Sequence, residues 1–174
     1  DAALRAATFT RQLLAFSRKQ VTQPELLDPN ELVSNMLNML SRVIGAEYVL
    51  RFEPGDGVEP IFADRGQIGQ VLMNLVVNAR DAMKGGGIIT LKTHREEKSP
   101  ENRMPARDDV TGPYTVFSVK DSGEGIARDV LDQIFEPFFT TKDASKGTGL
   151  GLSTVYGIVT QHGGFLQVDT TENG

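Results

Sequence analysis

The chain has 174 residues, of which 39% are apolar and 24% charged, with a formal net charge of −5, two histidines and no cysteine. That length suits one domain with a small appendage, and the mix is that of a soluble globular protein. No apolar run approaches the ~20 residues of a membrane span, and no signal-peptide pattern opens the sequence. The missing cysteines exclude disulfides and thiolate metal sites, and the acidic balance argues against a nucleic-acid surface. If the ligand is an anion, local geometry has to attract it.

Residues 2 to 20 carry Ala2, Ala6, Phe9, Leu13 and Phe16 at alternating spacings of four and three, the seam of a helix that packs on another helix. The partner helix is expected outside this sequence. Residues 21–27, with Pro24, read as a linker. "DPNE" then places Asp28 as N-cap, Pro29 at the first helical position and Glu31 at the third, and Gly45 closes the helix. A strand over Tyr48 to Phe52, a turn at "PGDG" and a short strand near Ile61 to Ala63 follow.

Asp64, with Gln67 three residues on, starts a second helix expected to run to the glycines at 85 to 87. Ile68, Leu72, Leu75, Val76, Ala79 and Met83 fall on one apolar face. Asn74, Asn78 and Asp81, at i, i+4 and i+7, form a polar stripe along its edge. Such a stripe is commonly a solvated boundary. Yet asparagine has lower helix propensity than Lys, Glu or Gln, and an amide oxygen is a suitable hard ligand for Mg²⁺.

Next come a strand from Ile88 to Thr93, a charged stretch "REEKSPENRMPARDDVTGP" expected as an exposed loop, and an alternating strand from Tyr114 to Lys120. It ends in "DSGEGIA". Asp121 at that strand end can accept from an exocyclic amine, while Gly123 and Gly125 let a flat ring approach the backbone; taken by itself the segment is an ordinary Asp-Gly turn. After "FEPFFTTK" at 135–142 stands "GTGLGLS", with Gly147, Gly149 and Gly151 just before a helix expected to reach His162, and a strand is expected near Phe165 to Val168. Bare backbone at a helix start is either a flexible loop or a phosphate cradle.

"NLVVNARDAM", "DSGEGIA", "FEPFFTTK" and "GTGLGLS", in that order, resemble the four sequence boxes of the catalytic ATP-binding domain of sensor histidine kinases, in the superfamily that includes gyrase, Hsp90 and MutL. The similarity covers residues 28–174. Residues 1–20 resemble the second helix of the dimerisation and phosphotransfer hairpin of such kinases. The resemblance implies a two-layer α/β sandwich of the Bergerat type, a mixed and mainly antiparallel sheet with helices on one face. One more strand is expected to follow "TTENG".

It also implies roles. Asn78 would ligate the Mg²⁺ that bridges ATP phosphates, with Asn74 and Asp81 on the same wall. Asp121 would read the adenine amine. Residues 126–146 would form a lid over the nucleotide, anchored by Phe135, Phe138 and Phe139, and Gly147, Gly149 and Gly151 would bring N–H groups to the triphosphate. Ile126, Thr141, Thr148, Leu150 and Leu152 would complete the nucleotide contacts. Many members of the family carry a lysine where this chain has Asp81, so Arg80 or Lys142 is expected to supply the phosphate-binding cation.

The implied reaction is transfer of the γ-phosphoryl of ATP to a histidine of a separate helix, in a homodimeric parent, with relay to the aspartate of a response-regulator receiver domain. The implied location is the cytoplasm, with no membrane contact by these residues. His94 near a strand end and His162 at a helix end, suited to capping carbonyls, read as structural. Two alternatives stand beside this. A gyrase- or Hsp90-like hydrolase would need a glutamate base where Asn74 stands, and an amide cannot take a proton from water. A non-catalytic nucleotide sensor would not need the metal ligand Asn78.

Overall fold

The computed structural model describes residues 22–97, 103–104, 112–142 and 147–170. The seam of residues 2–16, most of the charged stretch, residues 143–146 of the expected lid and nearly all of "TTENG" lie outside the described residues.

The first described element corrects an expectation. Within the segment read as a linker, Glu25–Leu27 forms strand β1, antiparallel to β3 (Ile61–Ala63) with Leu26 opposite Phe62. Leu27 is fully buried, whereas Leu26 and Phe62 both point outward at 71% exposure. Three residues are too few for alternation to reveal a strand; its partner, 36 positions away, makes it one.

Helix α1 (Pro29–Ile44) starts as its sequence dictates: the Asp28 side chain accepts from the Asn30 and Glu31 amides at 2.8 and 3.0 Å. Gly45, at φ 93°, ends it. Its buried side chains Leu32, Val33, Leu40 and Ile44 enter the main core.

Strand β2 (Tyr48–Glu53) runs parallel to β4 (Gly87–Glu96), and β4 runs antiparallel to β5 (Tyr114–Lys120), giving the order β2-β4-β5. Leu91 and Ile89, fully or almost fully buried, carry the sheet side of the core. The buried hydroxyl of Thr93 is satisfied by a closed set of bonds: it donates to Asn30 Oδ1 and accepts from the Gly55 amide, and Asn30 Nδ2 donates to the Gly55 carbonyl. That set ties the turn after β2 to α1 and β4.

Helix α2 (Arg65–Ala82) is capped by Asp64, whose carboxylate accepts from the Gln67 amide at 2.9 Å. It stops at Ala82, before the glycines expected to end it, because Met83 is already extended (φ −108°, ψ 116°). Ile68, Leu72, Val76, Ala79 and Met83 join the main core as expected, but Leu75 does not: with buried Val71 it faces a second cluster formed with Val155 and Ile158 of α3 (Gly151–Gln161). α2 is thus packed on two sides.

After α3 the described residues show a single bridge where a strand was expected. Leu166 exchanges two backbone bonds with Met104, at 2.7 and 2.8 Å, and Phe165 meets Tyr114 edge-on with ring centroids 5.0 Å apart. Helices over one face of a mixed sheet make the two-layer α/β arrangement that was expected. No described helix is long and apolar enough to cross a membrane.

Candidate functional site

The C-terminal half of α2 is one wall of the candidate site. Asn74 Nδ2 donates to the Gly151 carbonyl at 3.3 Å, and a side-chain carbon placed on Gly151 would lie 3.5 Å from Asn78 Nδ2 and 3.8 Å from its Oδ1. Both amides therefore meet the start of α3. That start has no side-chain cap: Leu150 holds the cap position and offers none, and the first bond that closes the helix is Thr154 N–H to the Leu150 carbonyl. The hydroxyls of Ser153 and Thr154 turn back to the same carbonyl, and the amides of Gly151, Leu152 and Ser153 have no partner among the described residues. These N–H groups, at the positive end of the helix dipole, suit an anion.

Asp81, one turn beyond Asn78, is the charge centre. Arg80 reaches its Oδ1 through Nε at 2.9 Å and Nη2 at 2.6 Å, and Lys142 Nζ reaches its Oδ2 at 3.0 Å. Burial by itself would raise the Asp81 pKa, but the hydrogen bonds from Arg80 and Lys142 outweigh it and hold the carboxyl below its ordinary value. Arg80 is further committed through Nη1 to the Val43 carbonyl at 3.1 Å. Both cations expected to serve phosphates are therefore engaged on Asp81, because that carboxylate stands between them.

At the end of β5, Asp121 Oδ1 accepts from the Gly123 amide at 2.8 Å, which leaves Oδ2 without a partner among the described residues. Gly123 is buried against α2, and a side-chain carbon there would lie 2.8 Å from the Ala82 carbonyl oxygen and 2.9 Å from Ala82 Cβ. Its bareness is thus used by packing on Ala82. Gly125 turns the chain at φ 73°, and the Ile126 amide donates to Thr170 Oγ1 at 2.8 Å.

The next segment departs from expectation. A 3-10 turn at Arg128–Val130 leads to Ile134, which is buried; Phe135 is half-buried on Tyr156, with centroids 5.7 Å apart, and Phe139 is half-buried. Phe138 is 57% exposed with φ 70°, so its ring adds far less burial than the anchor that was expected. Its backbone does the holding: Phe138 N–H donates to the Gly149 carbonyl at 2.8 Å, and a side-chain carbon on Gly149 would lie 2.3 Å from the Phe138 carbonyl carbon. Together with φ 66°, that crossing admits only glycine. The bare backbone at Gly149 is therefore filled by the chain itself, and it is Gly151 that opens the uncapped helix.

Gly147 packs beneath Thr140 and Lys142, Thr141 is exposed, and Thr148 Oγ1 accepts from the Leu150 amide at 3.4 Å. Leu152 lies in the first turn of α3. Ile134, Ala82 and Tyr156 were not anticipated. The phenylalanines of "FEPFF" outweigh Ile134 by eye, and the packing roles of Ala82 and Tyr156 leave no pattern in sequence.

The two histidines lie apart from this site. His94 stands within β4, its Nδ1 buried and unbonded and its Nε2 3.7 Å from Glu96. His162 does hold the C-cap position of α3, but its ring is spent on Gln67 Oε1, at 2.7 Å, instead of on carbonyls. Among the described residues no group of three His, Asp or Glu side chains could hold a metal. A divalent cation here would have to arrive with ligands of its own, such as phosphate oxygens, to which an amide oxygen can add a hard donor.

Residues 63–174 match the family described as histidine kinase-, DNA gyrase B-, and HSP90-like ATPase. The sensor kinase CckA of Brucella abortus (strain 2308) is 49% identical over 166 residues, 95% of this chain and 18% of that protein. The sensor histidine kinase ZraS of Escherichia coli (strain K12) is 39% identical over 149 residues, 85% of this chain and 28% of that protein. The chain thus spans less than a third of either relative. Among solved structures, histidine kinase ThkA in complex with the response regulator protein TrrA aligns at TM-score 0.66 and 26% identity over 94% of this chain and 42% of that one. The histidine kinase domain of the E. coli osmosensor EnvZ aligns at TM-score 0.59 and 28% identity over 90% and 86%.

Proposed function

This chain belongs to the histidine kinase-, DNA gyrase B- and HSP90-like ATPase family, and from that premise we propose that it is the Mg²⁺- and ATP-binding unit of a cytoplasmic sensor histidine kinase. The observation that carries the proposal is the approach of the Asn78 side-chain amide to the start of α3, which has no side-chain cap. The amides of Gly151, Leu152 and Ser153 bind phosphate oxygens. Asn78 Oδ1 would hold Mg²⁺, which would neutralise phosphate charge. Asp121 Oδ2 accepts from the adenine amine, its other oxygen fixing the turn.

The reaction breaks the bond from the γ-phosphorus to its bridging oxygen, releases ADP and forms a phosphorus–nitrogen bond to a histidine on a hairpin helix of the homodimeric kinase. The chain supplies positioning and charge, not a nucleophile. A receiver domain then takes the phosphoryl group onto an aspartate, in keeping with the complex of ThkA and TrrA. Asn74 supports transfer over hydrolysis, since its amide donates to Gly151 and holds no base.

Calorimetric titration with ATP across a Mg²⁺ series tests the site. Affinity should rise with Mg²⁺ in the unaltered chain and lose that dependence in Asn78→Ala. Identical metal dependence in the two would remove Asn78 as ligand. Asp121→Asn should weaken ATP binding by about 1.5–3 kcal/mol, the worth of a hydrogen bond to a charged group. GTP, which presents a carbonyl to the same carboxylate, should bind the unaltered chain more weakly than ATP; equal binding would take Asp121 out of the base pocket.

A further inference from the structure

Lys142 is not simply a lysine near a phosphate site. It crosses 61 positions of sequence to reach Asp81 Oδ2, while the other oxygen of the same carboxylate is taken by Arg80. The two cations differ in kind. Arg80 is Asp81's neighbour on α2 and is tied to Val43 of α1, so it belongs to the helical layer. Lys142 comes from the segment crossing the start of α3, where its amide donates to Thr140 Oγ1 at 3.1 Å. Its four-carbon stem ends in a compact, freely turning charge that can change partner while its backbone stays in place. Asp81 lies three residues beyond Asn78, roughly 4.5 Å along the helix axis, so the lysine rests one helical turn from the proposed metal ligand.

We propose that Asp81 is a docking post for Lys142 in the nucleotide-free protein and that the phosphates of the nucleotide compete with Asp81 for this lysine. The idea rests on the Mg²⁺- and ATP-binding role argued above. Arg80 is what makes the exchange cheap: when Lys142 leaves, Asp81 keeps a two-pronged partner and no carboxylate is stranded. The pair itself is only moderately strong, since the Lys142 and Asp81 side chains are 33% and 26% exposed. Several phosphate charges outcompete one carboxylate already shared with an arginine. The lysine is thereby coupled to occupancy, resting on α2 without nucleotide and turned to the phosphates with it.

A double-mutant cycle decides the matter, with Asp81→Asn, Lys142→Met and their combination titrated calorimetrically against Mg²⁺-ATP and against adenosine, which has no phosphates. Freeing the lysine by Asp81→Asn should tighten ATP about two- to five-fold, the range of a partly exposed ion pair, with adenosine affinity unchanged. Lys142→Met should weaken ATP, and in its background Asp81→Asn should bring no gain. A gain that persists undiminished without Lys142 would mean that Asp81 merely repels phosphate, and would overturn the proposal. So would unchanged or weaker ATP binding in Asp81→Asn. Failure of the unaltered chain to bind ATP would overturn the nucleotide site itself, and the competition with it.

Discussion

Asp64 shows how much one carboxylate can organise. Its two oxygens accept from the Gln67 amide at the start of α2 and from the Gln23 amide that brings in β1, at 2.9 and 2.8 Å. The Gln23 bond, then the Gln67 bond, hold its pKa below the ordinary 3.8, against a smaller opposing effect of burial. A carboxyl whose folded pKa is depressed stabilises the fold fully above its unfolded value and loses that contribution as pH falls through the folded one. Asp64→Ala should therefore unfold more easily than the parent by about 1 kcal/mol at neutral pH, the usual worth of an N-cap. In urea denaturation the gap should close below the unfolded value of 3.8; a gap independent of pH would show that the charge plays no part. The Gln67 half of this cap is written locally in "DRGQ", whereas Gln23 lies 41 positions away and no local pattern announces it.

Helix α2 is the element on which the site depends. Its apolar positions are legible in sequence, but which neighbour each one meets is not: Leu72 and Val76 face the sheet, while Val71 and Leu75 face α3. Two faces blur into one broad apolar arc on a helical wheel. Val155 is fully buried in the smaller cluster. Val155→Ala should destabilise the protein by about 2 kcal/mol through lost burial and the cavity left behind. It should also weaken ATP binding, because this packing, together with the Asn74 bond to Gly151, locates the start of α3 against Asn74 and Asn78. Val76→Ala, equally buried but in the main core, should cost comparable stability with less effect on affinity. Calorimetry on both variants separates the two, and equal affinity losses would refute a special role for the α2–α3 interface.

For the whole molecule, the net charge of −5 means that a polyanionic ligand would have to be attracted by local geometry and not by a general field. Both histidines lie apart from the candidate site. His94 stands in the middle strand of the sheet and the His162 ring is held by Gln67. Incubated with labelled ATP, the chain should acquire no acid-labile, base-stable label on its own, and should phosphorylate a hairpin fragment that carries an acceptor histidine. Asn78→Ala should abolish that transfer. Such label on the chain without the hairpin fragment would make His94 or His162 an acceptor.

The local signals were the ones that sequence by itself determined. Both aspartate N-caps and the strands over Tyr48–Glu53 and Tyr114–Lys120 depend on residues within a few positions of one another, and each stands as expected. Tertiary structure decided what depends on distant partners. It made a strand of Glu25–Leu27 by pairing it with Ile61–Ala63, and it turned Phe138 outward so that its backbone could cross Gly149. It also placed Lys142 on Asp81, an ion pair that spacing cannot reveal, because a cation's partner is whichever charge the packing of helices and loops brings within reach.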